Sequence, residues 1–150
     1  MTDQPPLKLY TVQGIIIGTV IGSLAAGIFM IAMNYVALGS VSLAKKTAAV
    51  GISLFLILIG ATLLFPTQNV GVTIAATILQ ALVAYAAAET LLGDSLRYHA
   101  GKNPTCLYSP LRAAAVGLIT ALVVFSLLVL ATMVANAMGL IDIQERSVGA

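Results

Sequence analysis

Charged residues are scarce in this chain of 150 residues. Only 8% of its residues are Asp, Glu, Lys or Arg, whereas 60% are hydrophobic. A water-soluble domain carries about 25% charged residues, so this chain has too few of them to cover a surface that faces water. The mean hydropathy of +1.07 agrees. The composition therefore excludes a soluble globular domain and predicts an integral membrane protein, with residues 1–150 forming a single transmembrane domain.

Cysteine and the residue patterns of common active sites are also scarce. Cys106 is the only cysteine, which excludes a disulfide framework within the chain. P-loop, dinucleotide-binding, HExxH and GxSxG patterns do not occur. His99 and Cys106 are seven residues apart, but two candidate ligands do not make a structural zinc site, which takes four. We therefore expect no catalytic residue, no metal, no cofactor and no enzyme activity, and the net charge of +2 gives no reason to expect nucleic acid.

Four apolar stretches are long enough to cross a bilayer, for which a helix needs roughly 20 residues. Lipid offers no hydrogen-bond partners to backbone groups, so each stretch should be helical. The sequence thus predicts an all-α fold, an integral membrane four-helix bundle with short loops. The expected spans cover residues 12–38, 43–65, 70–92 and 110–138.

Turn and capping residues mark the ends of these predicted spans. Gly39 is suited to end the first span, and Gly93 follows the third. Ser42 is suited to cap the second, and Phe65-Pro66 to close it. Ser109-Pro110 opens the fourth with a capping serine and a proline at the first helical position. These helix-end residues predict a polar loop of residues 93–109 between the third and fourth spans.

The basic residues predict an orientation. Two of the predicted loops contain five of the seven Lys and Arg residues, whereas the loop between the second and third spans has no charge. The positive-inside rule places basic loops in the cytoplasm, so we expect both termini outside. Tyr10 and Tyr35 would then mark the two membrane interfaces of the first span. The basic loop residues are Lys45, Lys46, Arg97, Lys102 and Arg112.

Glycine recurs at every fourth position near the start of the first predicted span. In lipid, helices associate through close packing, which small residues permit. The first and third spans offer such faces and the fourth offers an interrupted one, so these three spans should form the tight contacts. The bulky second span offers none and should be the most exposed to lipid. The stripes serve either packing within one bundle or association of two copies. The predicted helix-packing residues are Gly14, Gly18, Gly22, Ala25, Gly117 and Ala121.

Gln80 and Glu89 are polar residues inside the predicted third span, and polar groups within lipid are candidates for a functional role. Together they are a candidate polar path, although nine residues of helix place them on opposite faces. The structural alternatives are an interhelical hydrogen bond for Gln80 and an interfacial ion pair for Glu89, with Lys45, Lys46 or Arg97 as its partner. Asn34 and Asn136 lie near span ends, where capping would suffice.

The N-terminal third contains a more specific pattern: Lys8-Leu9-Tyr10, Ala25-Ala26-Gly27, Ala37-Leu38-Gly39 and Ala44-Lys45-Lys46-Thr47 occur in this order. This string resembles a loose group of small bacterial multi-span inner-membrane proteins of unknown function. The resemblance covers roughly the first 50 residues. It implies a bacterial inner-membrane location, and it implies no activity for any residue.

The sequence has stripes of small residues for helix packing but no recognisable set of catalytic residues, which favours a non-enzymatic role. We expect a scaffold or accessory subunit of a membrane assembly, whose partners are the lipid bilayer and either further copies of the chain or another membrane protein. The alternative is a small homo-oligomeric transporter or channel, which Gln80 and Glu89 would serve.

Overall fold

The computed structural model describes residues 8–64, 69–102 and 106–139. Within them the chain forms four α-helices, each with the residue count and the apolar composition of a membrane span. The predicted all-α four-helix architecture is confirmed. The helices are α1 (Val12–Ala37), α2 (Val41–Leu64), α3 (Val70–Lys102) and α4 (Pro110–Ala137).

Two of the predicted helix ends are confirmed. Gly39 follows α1 with a φ of 77°, the left-handed conformation that glycine adopts without strain. Its N–H donates to the Val36 carbonyl at 3.0 Å, and the Ser40 N–H donates to the Tyr35 carbonyl at 2.8 Å, which satisfies two carbonyls of the last turn. At the start of α4, the Ser109 hydroxyl accepts from the Arg112 N–H.

Two other predicted helix ends are wrong. Ser42 lies inside α2, because that helix already begins at Val41. Gly93 does not end α3, which continues to Lys102 and so includes ten residues of the predicted loop 93–109. The 33 residues of α3 span about 50 Å, well beyond a hydrocarbon core of about 30 Å. Its polar last turns can therefore lie in water without ending the helix. The predicted Phe65-Pro66 end lies outside the described residues.

The largest departure from the sequence prediction is the path of α1. Ser23 interrupts the helix with a φ of 69° and a ψ of 178°. The Tyr10 N–H donates to Asn34 Oδ1 at 2.7 Å, and Asn34 Nδ2 donates to the Tyr10 carbonyl at 2.8 Å. A straight helix would separate two residues 24 positions apart by about 36 Å. The chain therefore reverses at Ser23, and α1 is a helical hairpin of two half-helices, residues 12–22 and 24–37.

This hairpin is too short to cross a bilayer. Its first half-helix extends about 16 Å at 1.5 Å per residue, roughly half of the hydrocarbon core. The predicted straight first span is therefore wrong in its path, although it is right in its limits. The reversal returns the chain to the end where it began, and α2, α3 and α4 are the full-length helices.

The N-terminal segment lies at the same end as both basic connections. The Leu9 N–H donates to the Cys106 carbonyl, and the Tyr108 N–H donates to the Leu9 carbonyl, both at 2.8 Å. These bonds form a parallel bridge between Leu9 and Leu107. The prediction that placed the N-terminal segment opposite the basic loops is therefore wrong, and Tyr10 and Tyr35 lie at one end of the molecule. We call this the basic end, which comprises residues 8–11, 38–46, 93–102 and 106–112.

The hairpin is the centre of the bundle. Among the described residues, α2, α3 and α4 each pack against α1, and none of the three packs against another. The largest fully buried side chains come from the hairpin and the residues around it, namely Leu9, Ile15, Thr19, Met30, Asn34 and Leu92. The bundle is thus closed at the basic end and open at the other end, beyond the tip of the hairpin.

Candidate functional site

The glycine stripe of α1 packs closely against α4. A Cβ atom added to Gly22 would lie 2.7 Å from the Cα of Gly117, and one added to Gly117 would lie 2.8 Å from the Gly18 carbonyl oxygen. One turn earlier, a Cβ on Gly14 would lie 3.2 Å from the Cβ of Ala113. The absence of side chains at these positions brings the two backbones into direct contact, as small residues do between helices in lipid.

Ala25 and Ala121 lie outside this contact. Ala25 comes after the reversal at Ser23, so it does not continue the stripe and instead lines a cleft beside Phe55 of α2. Ala121 is half-buried one turn beyond Gly117, which is the last fully buried residue of α4. The hairpin ends near this level, so α4 has little to pack against beyond it.

The second half-helix contacts both α2 and α3 through small residues. A Cβ on Gly27 would lie 3.4 Å from the Cβ of Ala84 in α3, and one on Gly51 of α2 would lie 2.7 Å from Ile28 Cδ1. The sequence prediction gave α2 no packing stripe, but one glycine is enough for this contact. In its described part, α2 buries Ala44 and Gly51, and the longer α4 likewise buries only Ala113 and Gly117. The prediction that α2 is more exposed than the other helices therefore finds no support in burial.

Gln80 completes the hairpin tip. Its Oε1 accepts a hydrogen bond of 3.1 Å from the backbone N–H of Leu24, the first residue after the break. The first N–H groups of a helix have no partner within that helix, and lipid provides none. The side chain from α3 therefore satisfies one such donor at the buried start of the second half-helix. Beside it, the Ser23 hydroxyl is buried and has no hydrogen-bond partner within the described residues.

Glu89 forms an ion pair with Arg97, and Asp94 lies 3.6 Å from the same guanidinium. Among the three partners considered for Glu89 from sequence, Arg97 is the one that it contacts. Gln80 and Glu89 thus have separate partners, one at the hairpin tip and one toward the basic end. The structure does not bring them together as one polar path.

The basic end contains a cluster that sequence reasoning missed. Asn34 is fully buried. Its side-chain amide binds both the N–H and the carbonyl of Tyr10, and it does not cap a helix. The rings of Tyr10 and Tyr108 lie 4.6 Å apart, and the Arg112 guanidinium lies 4.1 Å from the centre of the Tyr108 ring. This stack joins the N-terminal segment to the start of α4.

A short internal repeat is the signal that could have revealed this cluster. Leu9-Tyr10-Thr11 and Leu107-Tyr108-Ser109 have nearly the same sequence, and each directly precedes a helix. Thr11 caps α1 and Ser109 caps α4 through their hydroxyl oxygens. Because the two Leu-Tyr segments pair in parallel, the first half-helix and α4 start side by side and run in the same direction.

His99 and Cys106 do not form a ligand cluster. His99 Nδ1 lies 2.7 Å from the Ser95 carbonyl oxygen, and the thiol of Cys106 is half-buried and free. No group of three or more residues that could hold a metal ion occurs in the part of the chain that the structure describes.

The comparisons with known proteins add no relative. No family model, no curated protein and no solved structure matches this chain. The four apolar helices indicate a multi-pass membrane protein, and its function must be inferred from the molecule itself.

Proposed function

We propose that this protein is a non-enzymatic scaffold or accessory subunit of a membrane assembly. The observation that carries this proposal is the open end of the bundle. Beyond the hairpin tip, large apolar side chains of all three full-length helices are exposed, and in the described residues the backbones of these helices do not approach one another closely. Examples are Ile57, Ile74, Ile78, Phe125 and Met133.

The use of the buried polar groups supports the same proposal. Asn34 and Gln80 both bind backbone groups of the hairpin, and the Thr19 hydroxyl donates to the Ile15 carbonyl. Each of the three side chains thus binds a backbone group, and these interactions stabilise the fold. The described cleft between α1, α2 and α3 is lined mainly by aliphatic side chains, including Leu24, Ile28, Leu54, Val83 and Leu91.

Cysteine crosslinking in native membranes tests the proposal. Ala76→Cys and Ala131→Cys, each in a Cys106→Ser background, place thiols on exposed positions of α3 and α4 at the open end. Ala49→Cys is the matched control, because Ala49 is exposed on the part of α2 that packs against the hairpin. A bifunctional maleimide should join the first two variants, and not the control, to one partner of defined mass. Equal labelling without crosslinks at all three positions would contradict the proposal.

For the orientation, we propose a bacterial inner-membrane protein whose basic end faces the cytoplasm. The positive-inside rule supports this side for the basic connections, and the Leu9–Leu107 bridge then takes the N-terminal segment with them. With three full-length helices after the hairpin, the end of α4 at Ala137 then lies outside. Reporter fusions at the N-terminus and at Lys102 should both give cytoplasmic signals, and a fusion at Asn69 should not. An N-terminal signal matching that of Asn69 would refute this orientation.

A small homo-oligomeric transporter or channel is the second candidate. The observation that favours it is a helix break inside the bundle, beside a Ser23 hydroxyl that has no partner among the described residues, since discontinuous helices form the substrate sites of many transporters. Flux into liposomes tests it. The parent protein should conduct a solute, and Gln80→Ala and Glu89→Ala should reduce that flux. Absence of flux in the parent, or unchanged flux in both variants, would remove this candidate.

A further inference from the structure

We propose that the basic end binds the headgroups of anionic phospholipids in the adjoining leaflet. Six of the seven Lys and Arg residues lie at this end, and Arg146 lies outside the described residues. The acidic residues near them in the described part of the chain are Glu89 and Asp94. The six cations are Lys8, Lys45, Lys46, Arg97, Lys102 and Arg112.

The fold brings these cations to one end from four separate parts of the sequence. Lys8 precedes the Leu9 backbone that pairs with residues 106–108. The reversal of α1 returns the chain to this end, so the first turns of α2 present Lys45 and Lys46 there. The last turns of α3 and the first turn of α4 add the remaining three. A straight first helix would have placed Lys8 on the opposite side, so this concentration of charge depends on the hairpin.

Most of these charges are not paired with a carboxylate in the part of the chain that the structure describes. Arg97 contacts the carboxylates of Glu89 and Asp94. In the described residues, the other five cations have no carboxylate within salt-bridge distance, and Lys102 instead donates to the Tyr98 hydroxyl. Exposed cations held at a membrane interface attract anionic headgroups.

Arg112 is the best-positioned phosphate ligand of the set. Its guanidinium lies over the ring of Tyr108, and that ring is packed against buried Tyr10. A guanidinium stacked on an aromatic face keeps its N–H edge available, and that edge matches the oxygens of a phosphate group. Tyrosines are also common at the level of lipid headgroups.

An apolar cleft beside the cations favours a lipid over free phosphate. This cleft lies between α1, α2 and α3 and has a volume of about 160 Å³. Thr47 lines it next to exposed Lys46, and Ile31 and Leu91 line it from α1 and α3. An acyl chain can occupy such a cleft while its phosphate contacts the neighbouring lysines. Inorganic phosphate has no part that would use the cleft.

Binding of short-chain lipids to the purified full-length protein in a neutral detergent tests the proposal. The probes are dioctanoyl phosphatidylglycerol, phosphatidylcholine with the same chains, and inorganic phosphate, with affinities measured by native mass spectrometry and by calorimetry. We expect saturable binding of phosphatidylglycerol, at least tenfold weaker binding of phosphatidylcholine, and no competition by millimolar inorganic phosphate.

The variants compare the loss of cations that have no carboxylate partner in the described residues with the loss of Arg97, which has one. Arg112→Gln should weaken phosphatidylglycerol binding about fivefold, the equivalent of about 1 kcal/mol, and Lys45→Gln with Lys46→Gln should weaken it more. Arg97→Gln is the matched control, because it removes the same charge from the same end but from a residue already paired with carboxylates. Its effect should be less than twofold.

Three results would overturn the proposal. Equal affinities for phosphatidylglycerol and phosphatidylcholine would show that the headgroup charge is not recognised. Competition by inorganic phosphate would assign the surface to free phosphate instead of lipid. An Arg97→Gln effect as large as that of Arg112→Gln would show attraction by total charge alone. These residues are exposed, so unchanged circular dichroism should confirm that each variant folds.

Discussion

Ser23 occupies a backbone conformation that is almost restricted to glycine. Its φ of 69° and ψ of 178° belong to a region that costs a non-glycine residue about 1–3 kcal/mol. Such a conformation persists only where the surrounding structure enforces it. Two sets of contacts enforce it here. The Asn34–Tyr10 hydrogen bonds join the two half-helices at the basic end, and the Gln80–Leu24 bond lies at their junction.

Ser23→Gly should therefore stabilise the protein. Glycine removes the backbone strain and also removes a buried hydroxyl that has no partner in the described residues. We expect a gain of about 1 kcal/mol in the free energy of unfolding, measured by denaturant titration in mixed micelles. Ser23→Ala, which removes the hydroxyl but keeps the strain, is the control and should gain less. A loss of stability in Ser23→Gly would be incompatible with a strained reversal at this position.

Asn34→Ala should destabilise the hairpin. The substitution leaves the N–H and C=O of Tyr10 without their partner, and the Tyr10 residue is only 5% exposed. Each buried unsatisfied group costs about 1–3 kcal/mol, so we expect a loss of at least 2 kcal/mol in the same assay. Gln13→Ala, at an exposed position of α1, should change stability by less than about 0.5 kcal/mol. If both variants behaved alike, Asn34 would not be the residue that closes the hairpin.

Between elements, the closest contact is the backbone approach of α1 to α4. It depends on glycine at three positions, Gly18, Gly22 and Gly117, where an added Cβ would meet backbone atoms of the other helix. Backbone atoms cannot rotate away as a flexible side chain can, so the helices themselves would have to separate. The same glycines could not serve a symmetric dimer of this chain while α4 occupies them.

Gly22→Ala should thus weaken the packing of α1 on α4. Overpacking of a close contact typically costs about 1–3 kcal/mol, and the loss should appear as a lower midpoint of thermal unfolding. Gly60→Ala is the matched control, since a Cβ at Gly60 of α2 would have nothing within 4 Å. In a helix, alanine is favoured over glycine by about 1 kcal/mol, so the control should be neutral or slightly stabilising. Equal destabilisation in both variants would argue against the α1–α4 contact.

For the whole molecule, length and hydropathy were sufficient to predict four apolar helices. Spacing alone identified the glycine stripe at Gly14, Gly18 and Gly22 and its counterpart at Gly117. The reversal at Ser23 could not be read in the same way, because the surrounding residues are uniformly apolar and include no proline. It follows from contacts between distant positions, namely Tyr10 with Asn34 and Leu9 with residues 106–108. Helical periodicity has no information about such pairs.

The arrangement of the basic residues was likewise predicted only in part, because the sequence shows these residues but not the reversal of α1. The count of basic residues correctly grouped the connection after α1 with the one before α4, but the prediction placed Lys8 on the other side because it assumed a straight first helix. One reversal changes the number of full-length crossings and therefore the relative side of the N-terminus. The basic surface and its proposed lipid both depend on that reversal.

The distance between the two ends of α1 tests the central claim most directly. Spin labels on Gln13→Cys and Val36→Cys, both exposed positions, can be introduced in a Cys106→Ser background and measured by pulsed electron paramagnetic resonance in nanodiscs. Leu111→Cys with Val134→Cys is the matched control, because this exposed pair has the same 23-residue separation in unbroken α4. The control should give about 35 Å between backbones, and a helical hairpin should give less than half of that for α1. Equal distances in the two pairs would show that α1 is straight and would contradict the account.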